Sequence, residues 1–416
     1  VTARTVLAVL LLAALASAQV APTAPEPAPE PLPGEARCGF CRTTGRTSSG
    51  ADSKFDLELE SGPTWKVEFC SMAHESDNMG LPWAPCPRCK TPSLHDRAQK
   101  EWDQRKTDGD AWLKERRRVD RVAGADKPLL HLQTTHLILV WNVPKTTTKD
   151  KKNHDAHEAV HLYARRMEEF YARIQSTFGI TDRNNMKNRH TLMVLEESDQ
   201  ALQCGPAYTM LQGLPTVKRA GGSNHDSVMV TWWDRATFPK EADMWRHVIH
   251  NFTHALTAVY YDMTWFKPGK VGLSPPWLND KYGWLDEGLA HWFEWDYDKR
   301  CETYCFREQT TDSRWGTDDW RKNIYKAVSG GDIPSFAEVV TKPSQSLDAK
   351  EHQFVWSWVD FLMQRDASVM GKAMKMAKME HETRELLKES WGLSMLEFEV
   401  KWKAFVLETY APTKKS

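Results

Sequence analysis

The stretch MWRHVIHNFTHALTAVYY (244–261) decides how the rest of the chain is read. On a helix, at ~100° per residue, His247, His250 and His254 fall on one stripe, roughly opposite Ile249, Phe252, Leu256 and Val259. The apolar side is suited to a core and the histidine side to a cleft. His250 and His254 lie one turn apart, the spacing at which two imidazoles grip one zinc ion. A lone histidine is most often a satisfied core residue. A stripe of three is harder to explain that way.

Two imidazoles need a third ligand, and PPWLNDKYGWLDEGLAHWFEW (275–295) offers one. On a helix starting near Asp286, Glu287 and His291 share a face, with Glu294 one turn from His291. Two histidines and a carboxylate leave one tetrahedral position open, as catalytic zinc sites do. His291 is either a further ligand or a residue that orients a ligating imidazole.

These residues resemble a family, the gluzincin metallopeptidases, and within them the bacterial peptidase-MA-like proteins. The likeness rests on His250, His254 and WLDEGLAHWFE (284–294). TTHLILVWN (134–142) resembles the family's opening strand, FVWSWVDFL (354–362) a later helix, and LLKESWGLSMLEFEVKWKAFV (386–406) its closing helix pair. It covers roughly residues 130–410. By that resemblance His250, His254 and Glu287 are the zinc ligands. The fold it implies is α+β, a small sheet with a helical subdomain carrying the zinc helix.

The chain departs from the family at one position. The pattern is H-E-x-x-H, with the glutamate as general base, and this sequence has His250-Asn251-Phe252-Thr253-His254. An amide donates and accepts hydrogen bonds but does not take up a proton near neutral pH. A positioned base is worth ~10²–10⁴-fold, so ordinary peptide hydrolysis is expected to be badly impaired. Zinc affinity is expected to survive, because the base is not a ligand. A working hydrolase would need a substitute such as Asp286 or Glu294, or the upstream set His157, Glu158 and His161.

That upstream set, HEAVH (157–161), is a literal H-E-x-x-H. Nothing like WLDEG follows it at a suitable distance, and its helix is polar and charged. Val160, Ala164, Met167, Tyr171, Ile174 and Phe178 give that segment, His154 to Phe178, its amphipathic period. A coincidental match is the plainer reading.

Eight cysteines remain to be placed. Cys38-Gly-Phe-Cys41 and Cys86-Pro-Arg-Cys89 are two C-x-x-C knuckles separated by two expected strands, FDLELE (55–60) and WKVEF (65–69). CGFCRTTG and CPRCKTP resemble zinc-ribbon knuckles, and four thiolates on one structural zinc is the expectation. Two disulfides are the alternative in an oxidising compartment. Cys301 and Cys305 are candidates for a local bridge and Cys70 and Cys204 for a longer one; no catalysis is attached to them.

The whole chain, 416 residues with 55 Lys+Arg against 56 Asp+Glu, implies neither a nucleic-acid nor a membrane-surface partner. Its 19 tryptophans are expected mainly in cores. Arg4, the apolar run Val6–Ala16 and Ala16-Ser17-Ala18 read as a signal peptide over 1–18, so the protein is expected to be secreted, periplasmic or on the cell surface, with no transmembrane segment after cleavage. The expected organisation continues with a Pro-rich linker (19–35), a small β zinc-ribbon-like module (36–92) and a charged helical connector (93–127). A peptidase-MA-like domain (128–416) completes it. KERRR (114–118) reads as an exposed helix face. A degenerate peptidase that binds a peptide or protein is the leading functional expectation; an active metallopeptidase and a purely structural protein are the alternatives. His352 and Tyr297 lie in segments that could approach the cleft, but spacing alone does not place them there.

Overall fold

Leu139 and Trp141 pack into one core while Val140, between them, packs into another. Such a strand is buried on both faces, and it belongs to the middle of a sheet. The computed structural model describes residues 35, 38–42, 44–48, 60–75, 81, 83–126, 128–184, 189–211, 223–225, 228–233, 235–236, 238–261, 281–304 and 319–412. The expected signal peptide, the linker apart from Glu35, most of the strand expected at 55–60, and Cys305 lie outside these residues.

In chain order the described strands are β1 (Arg46–Ser48), β2 (Val67–Cys70), β3 (Trp83–Pro85), β4 (Leu130–Thr134), β5 (Leu137–Trp141), β6 (Lys145–Thr147), β7 (Asn153–Asp155), β8 (His190–Leu195), β9 (Ser223–His225) and β10 (Val228–Trp232). The architecture is mixed α+β. The chain divides into two compact units, one of Val1–Asp52 with Leu81–Asp108 and one of Ser53–Gly80 with Gly109–Ser416. This division differs from the expected module at 36–92, because WKVEF does not close a ribbon. Its residues Val67–Cys70 form β2, which pairs antiparallel with β4 in the main sheet.

In the smaller unit β1 and β3 pair antiparallel, with Arg46 opposite Pro85 and Ser48 opposite Trp83. Cys38, Cys41, Cys86 and Cys89 gather beside this ribbon in a small cluster of their own. The Arg46 guanidinium lies 4.0 Å from the Trp83 ring centroid, and Trp83 meets Trp102 edge-on.

The larger unit is organised on a six-stranded sheet of order β2-β4-β5-β8-β10-β9. Pairs β5/β8 and β8/β10 are parallel and the others antiparallel. The helix Ala156–Phe178 lies between β5 and β8 in the chain, and a parallel pair requires such a crossover. It buries Val160, Tyr163, Ala164, Met167, Phe170, Tyr171, Ile174 and Phe178, as its period anticipates. Leu192 and Val194 of β8 face the same core, while Met193 and Leu195 face a second core with Val119, Ala123, Ala201 and Cys204.

TTHLILVWN (134–142), likened above to a single opening strand, starts at the turn of a tight hairpin of β4 and β5. Its turn is held by the buried Glu168, which accepts hydrogen bonds from Thr134 Oγ1 (2.5 Å), His136 N (3.0 Å) and His136 Nδ1 (2.7 Å). No glycine or proline marks the turn, so its cause is a carboxylate more than thirty residues away. The KERRR patch is likewise structural in part, since Arg117 donates to Leu129 O at 2.6 Å and pairs with Asp120 and Glu75.

After β10 the described residues are mainly helical, with helices Glu241–Val259, Gly283–Asp298, Trp320–Gly330, Ala349–Asp366 and Met395–Thr409. Two short helices, Met370–Lys378 and Thr383–Trp391, precede the last of these. Glu380 at φ 65° turns the chain between them, and a Glu382/Glu385 capping box starts the second. Tryptophans are core residues here as expected: Trp284, Trp320, Trp356, Trp358 and Trp402 are all fully buried.

Gly288 explains how closely two of these helices approach. A Cβ at this position would lie 2.5 Å from Val359 Cγ2 and 2.7 Å from the Val355 carbonyl oxygen of helix Ala349–Asp366. The backbone oxygen has little room to retreat. Gly288→Ala is therefore expected to destabilise the larger unit by ~1–3 kcal/mol, read as a lowered denaturation midpoint in near-UV circular dichroism. An unchanged midpoint would mean that the helices tolerate a wider spacing.

Candidate metal centre

His250 and His254 sit mid-helix, where the 3.6-residue repeat sets one side chain above the other; their rings meet edge-on and their Nε2 atoms are 3.2 Å apart. From the next helix, Glu287 places Oε2 3.6 Å from each of these nitrogens. A small divalent ion held ~2.0–2.1 Å from three tetrahedral donors sets those donors ~3.3 Å apart. The observed triangle is slightly wider on two sides and already near that size.

The outer ring nitrogens say which atoms carry protons. His250 Nδ1 lies 3.1 Å from Glu294 Oε2. His254 Nδ1 lies 2.9 Å from Asp286 Oδ2, close enough to keep a proton on that nitrogen although the approach is bent. With protons on Nδ1, both Nε2 atoms turn lone pairs toward each other and toward Glu287 Oε2. Glu287 is fully buried and neither of its oxygens accepts a hydrogen bond. Burial pushes its carboxyl up, and only positive charge at His254 and His250 holds it well below the usual carboxylate range; with both rings neutral, a bound cation takes over that role. An ionised, dehydrated carboxylate facing two lone pairs is costly unless a cation lies among them. The donors fit a metal ion.

Around this triangle the carboxylates are fully committed. Asp286 also accepts from Thr257 Oγ1 at 3.1 Å. Glu294 Oε1 accepts from Glu302 N (2.7 Å), Thr303 N (3.0 Å) and Thr303 Oγ1 (3.0 Å), and its Oε2 also meets His291 Nδ1 at 3.3 Å. Burial raises the Glu294 carboxyl, but the bonds to His250 and His291 bring it down to about 2. Such carboxylate–imidazole pairs fix ring orientation in metal sites.

Two residues of uncertain sequence assignment are now placed. His291 Nε2 is 3.9 Å from Glu287 Oε2, and His352 Nδ1 is 3.7 Å from the same oxygen and 2.9 Å from His291 Nε2. Burial pushes the His291 imidazole down to about 3, so it is neutral. Glu287 thus has four imidazoles around one oxygen. His352 comes from helix Ala349–Asp366, whose approach Gly288 permits, and spacing along the chain gives no hint of it. Tyr297 packs against the hydrophobic core, with Glu241, Arg166, Asp298 and Arg246 as its charged neighbours. His247 leaves the stripe: its Nε2 is 3.0 Å from Thr231 Oγ1 on β10.

Asn251 follows His250 on the helix, the position at which an H-E-x-x-H pattern carries glutamate. Its Nδ2 donates to the His247 carbonyl at 3.0 Å, and it is 9% exposed, against full burial of His250 and Glu287. The amide therefore closes on its own helix.

In the smaller unit, Cys41 Sγ and Cys89 Sγ are 3.7 Å apart, and the sulfurs of Cys38, Cys41 and Cys86 lie within 4.8 Å of one another. Four sulfurs ~2.3 Å from a tetrahedral ion would be ~3.8 Å apart. Cys38, Cys41, Cys86 and Cys89 are free thiols, so the disulfide alternative is not realised in this structure. The amides of Cys41 and Lys90 hold the Cys38 thiol down to about 6, whereas burial pushes Cys86 up to about 11. Cys70, Cys204 and Cys301 are also free. A Cys70–Cys204 bridge is excluded because Cys204 lies in the second core and Cys70 in the first. Cys301 donates to the His291 carbonyl at 3.3 Å, and its expected partner Cys305 lies outside the described residues.

No protein-family model matches this sequence, and no curated protein matches it. The site geometry therefore stands on its own. Among the described residues, no helix is long and apolar enough to cross a membrane.

Glu294→Gln keeps the shape of the side chain but removes the charge that faces His250 and His291. It is expected to weaken metal retention 10–100-fold, measured by competition with a chromogenic chelator, with the cysteine cluster's share unchanged. Separately, alkylation of Cys38 and Cys89 is expected to be slow in metal-loaded protein and fast after chelation; equal rates would argue against a thiolate-bound ion.

Proposed function

We propose that the chain is an exported, gluzincin-like zinc protein of the peptidase-MA-like kind that has lost the hydrolytic base and acts by binding a peptide or protein. The observation that carries this reading is the convergence of His250 Nε2, His254 Nε2 and Glu287 Oε2, with an asparagine where a base belongs. His250, His254 and Glu287 would hold the ion. Zinc at such a site supplies a Lewis acid that polarises a carbonyl.

The candidate replacement bases are engaged in other work. Asp286 orients His254, Glu294 orients His250 and is capped by the 302–303 backbone, and Glu158 closes a capping box with Asp155 at the start of its helix. Asn251 itself can hold a ligand's carbonyl or amide by hydrogen bonding but cannot move a proton. The residues at the site bind and orient; they do not relay. The cysteine cluster is a structural zinc of ribbon type, which suits an assembly or binding role better than catalysis.

Asn251→Glu tests the reading directly in a general peptide-cleavage assay. The natural protein is expected to be inactive and the glutamate variant to gain cleavage by ~10²–10⁴-fold over it, lost again on chelation. Cleavage by the natural protein at a rate the glutamate does not raise would contradict the loss of the base. A metal-loaded but inactive glutamate variant would count against the peptidase-like cleft.

A further inference from the structure

The H-E-x-x-H at 157–161 acquires a third partner in three dimensions. His157 and His161 occupy the first two turns of helix Ala156–Phe178, with ring centroids 4.8 Å apart. β2 runs antiparallel to β4 and ends at Cys70. There Cys70 Sγ lies 3.3 Å from His157 Nε2, and the donor atoms of Cys70, His157 and His161 all lie within 4.8 Å of one another. An ion ~2.3 Å from sulfur and ~2.0–2.1 Å from nitrogen separates those donors by ~3.6 Å. The cluster is near that size.

A carboxylate orients the cluster from outside. His161 Nδ1 is 2.7 Å from Glu60 Oε2, and Glu60 Oε1 accepts from Arg165 Nη2 at 2.9 Å. A proton held on Nδ1 leaves Nε2 as a lone pair on the side of Cys70, the arrangement in which a histidine serves a metal. Glu158 takes no part, because its carboxylate accepts from the Asp155 amide at 3.0 Å in the helix cap. The motif therefore does not supply a peptidase base. Its two histidines supply ligands for a different donor set.

We propose that Cys70, His157 and His161 form a second metal site, taking a borderline-soft divalent cation of the zinc class, with Glu60 positioning His161. Thiolate and imidazole donors suit that class over magnesium or calcium. The competing role for such a trio is a thiol nucleophile activated by a histidine. Cys70 is fully buried, which shuts it off from a substrate but not from an ion seated between it and the partly exposed His157.

Cobalt(II) is the probe, loaded into the full chain after metal removal and quantified per chain. Cys70→Ser and His161→Ala are each expected to lose one equivalent, and Cys70→Ser to lose part of the thiolate-to-cobalt absorption. His254→Ala is expected to lose a different equivalent, so that His161→Ala with His254→Ala loses two. A full cobalt complement in folded Cys70→Ser would overturn the site. Should that variant misfold, His157→Ala at the partly exposed ligand decides the matter: loss of one cobalt equivalent together with part of the thiolate-to-cobalt absorption supports the site, and a full cobalt complement overturns it.

Discussion

Glu287 is a carboxylate removed from water, with no hydrogen bond to either oxygen and imidazole nitrogens of His250, His254, His291 and His352 at 3.6–3.9 Å from Oε2. Burying such a group unpaired costs several kcal/mol or more. The protein surrounds it with imidazole nitrogens and uses Asp286 and Glu294 to fix three of the rings from behind. Attraction between a carboxylate and a cation is strongest where the dielectric is low. A cation at the centre completes it.

The helical region is arranged to keep those charges in register. Arg246, itself buried, donates to Asp298 at 2.6 Å and Glu302 at 2.5 Å and pairs with Asp243, so the start of the histidine helix is tied to the end of the glutamate helix and the segment beyond. That same segment delivers the amides of residues 302 and 303 to Glu294. Gly288 lets the third helix close in, bringing His352 to Glu287. Packing and electrostatics therefore converge on one carboxylate.

Much of this was legible in the sequence because it is local. The 3.6-residue period placed His250 above His254 and Glu287 above His291, and the apolar face of the same helix marked the core. What remained hidden depends on long-range contacts. His352 reaches the site across 61 residues and Cys70 reaches His157 across 87. The hairpin at Thr135-His136 is bent by Glu168, and the break at Glu380 falls on a residue with no turn preference. The partner of WKVEF is hidden for a related reason: the segment has strand character, but nothing in it says which sheet it joins. The literal H-E-x-x-H showed the opposite failure, since its glutamate is spent on a helix cap.

The central claim is that His250, His254 and Glu287 hold one ion. Anomalous diffraction from crystals of zinc-loaded protein, recorded on both sides of the zinc absorption edge, tests it most directly. A peak ~2.0–2.2 Å from His250 Nε2, His254 Nε2 and a Glu287 oxygen is the predicted result. A zinc-loaded crystal with peaks elsewhere and only a proton or water between those nitrogens would contradict it.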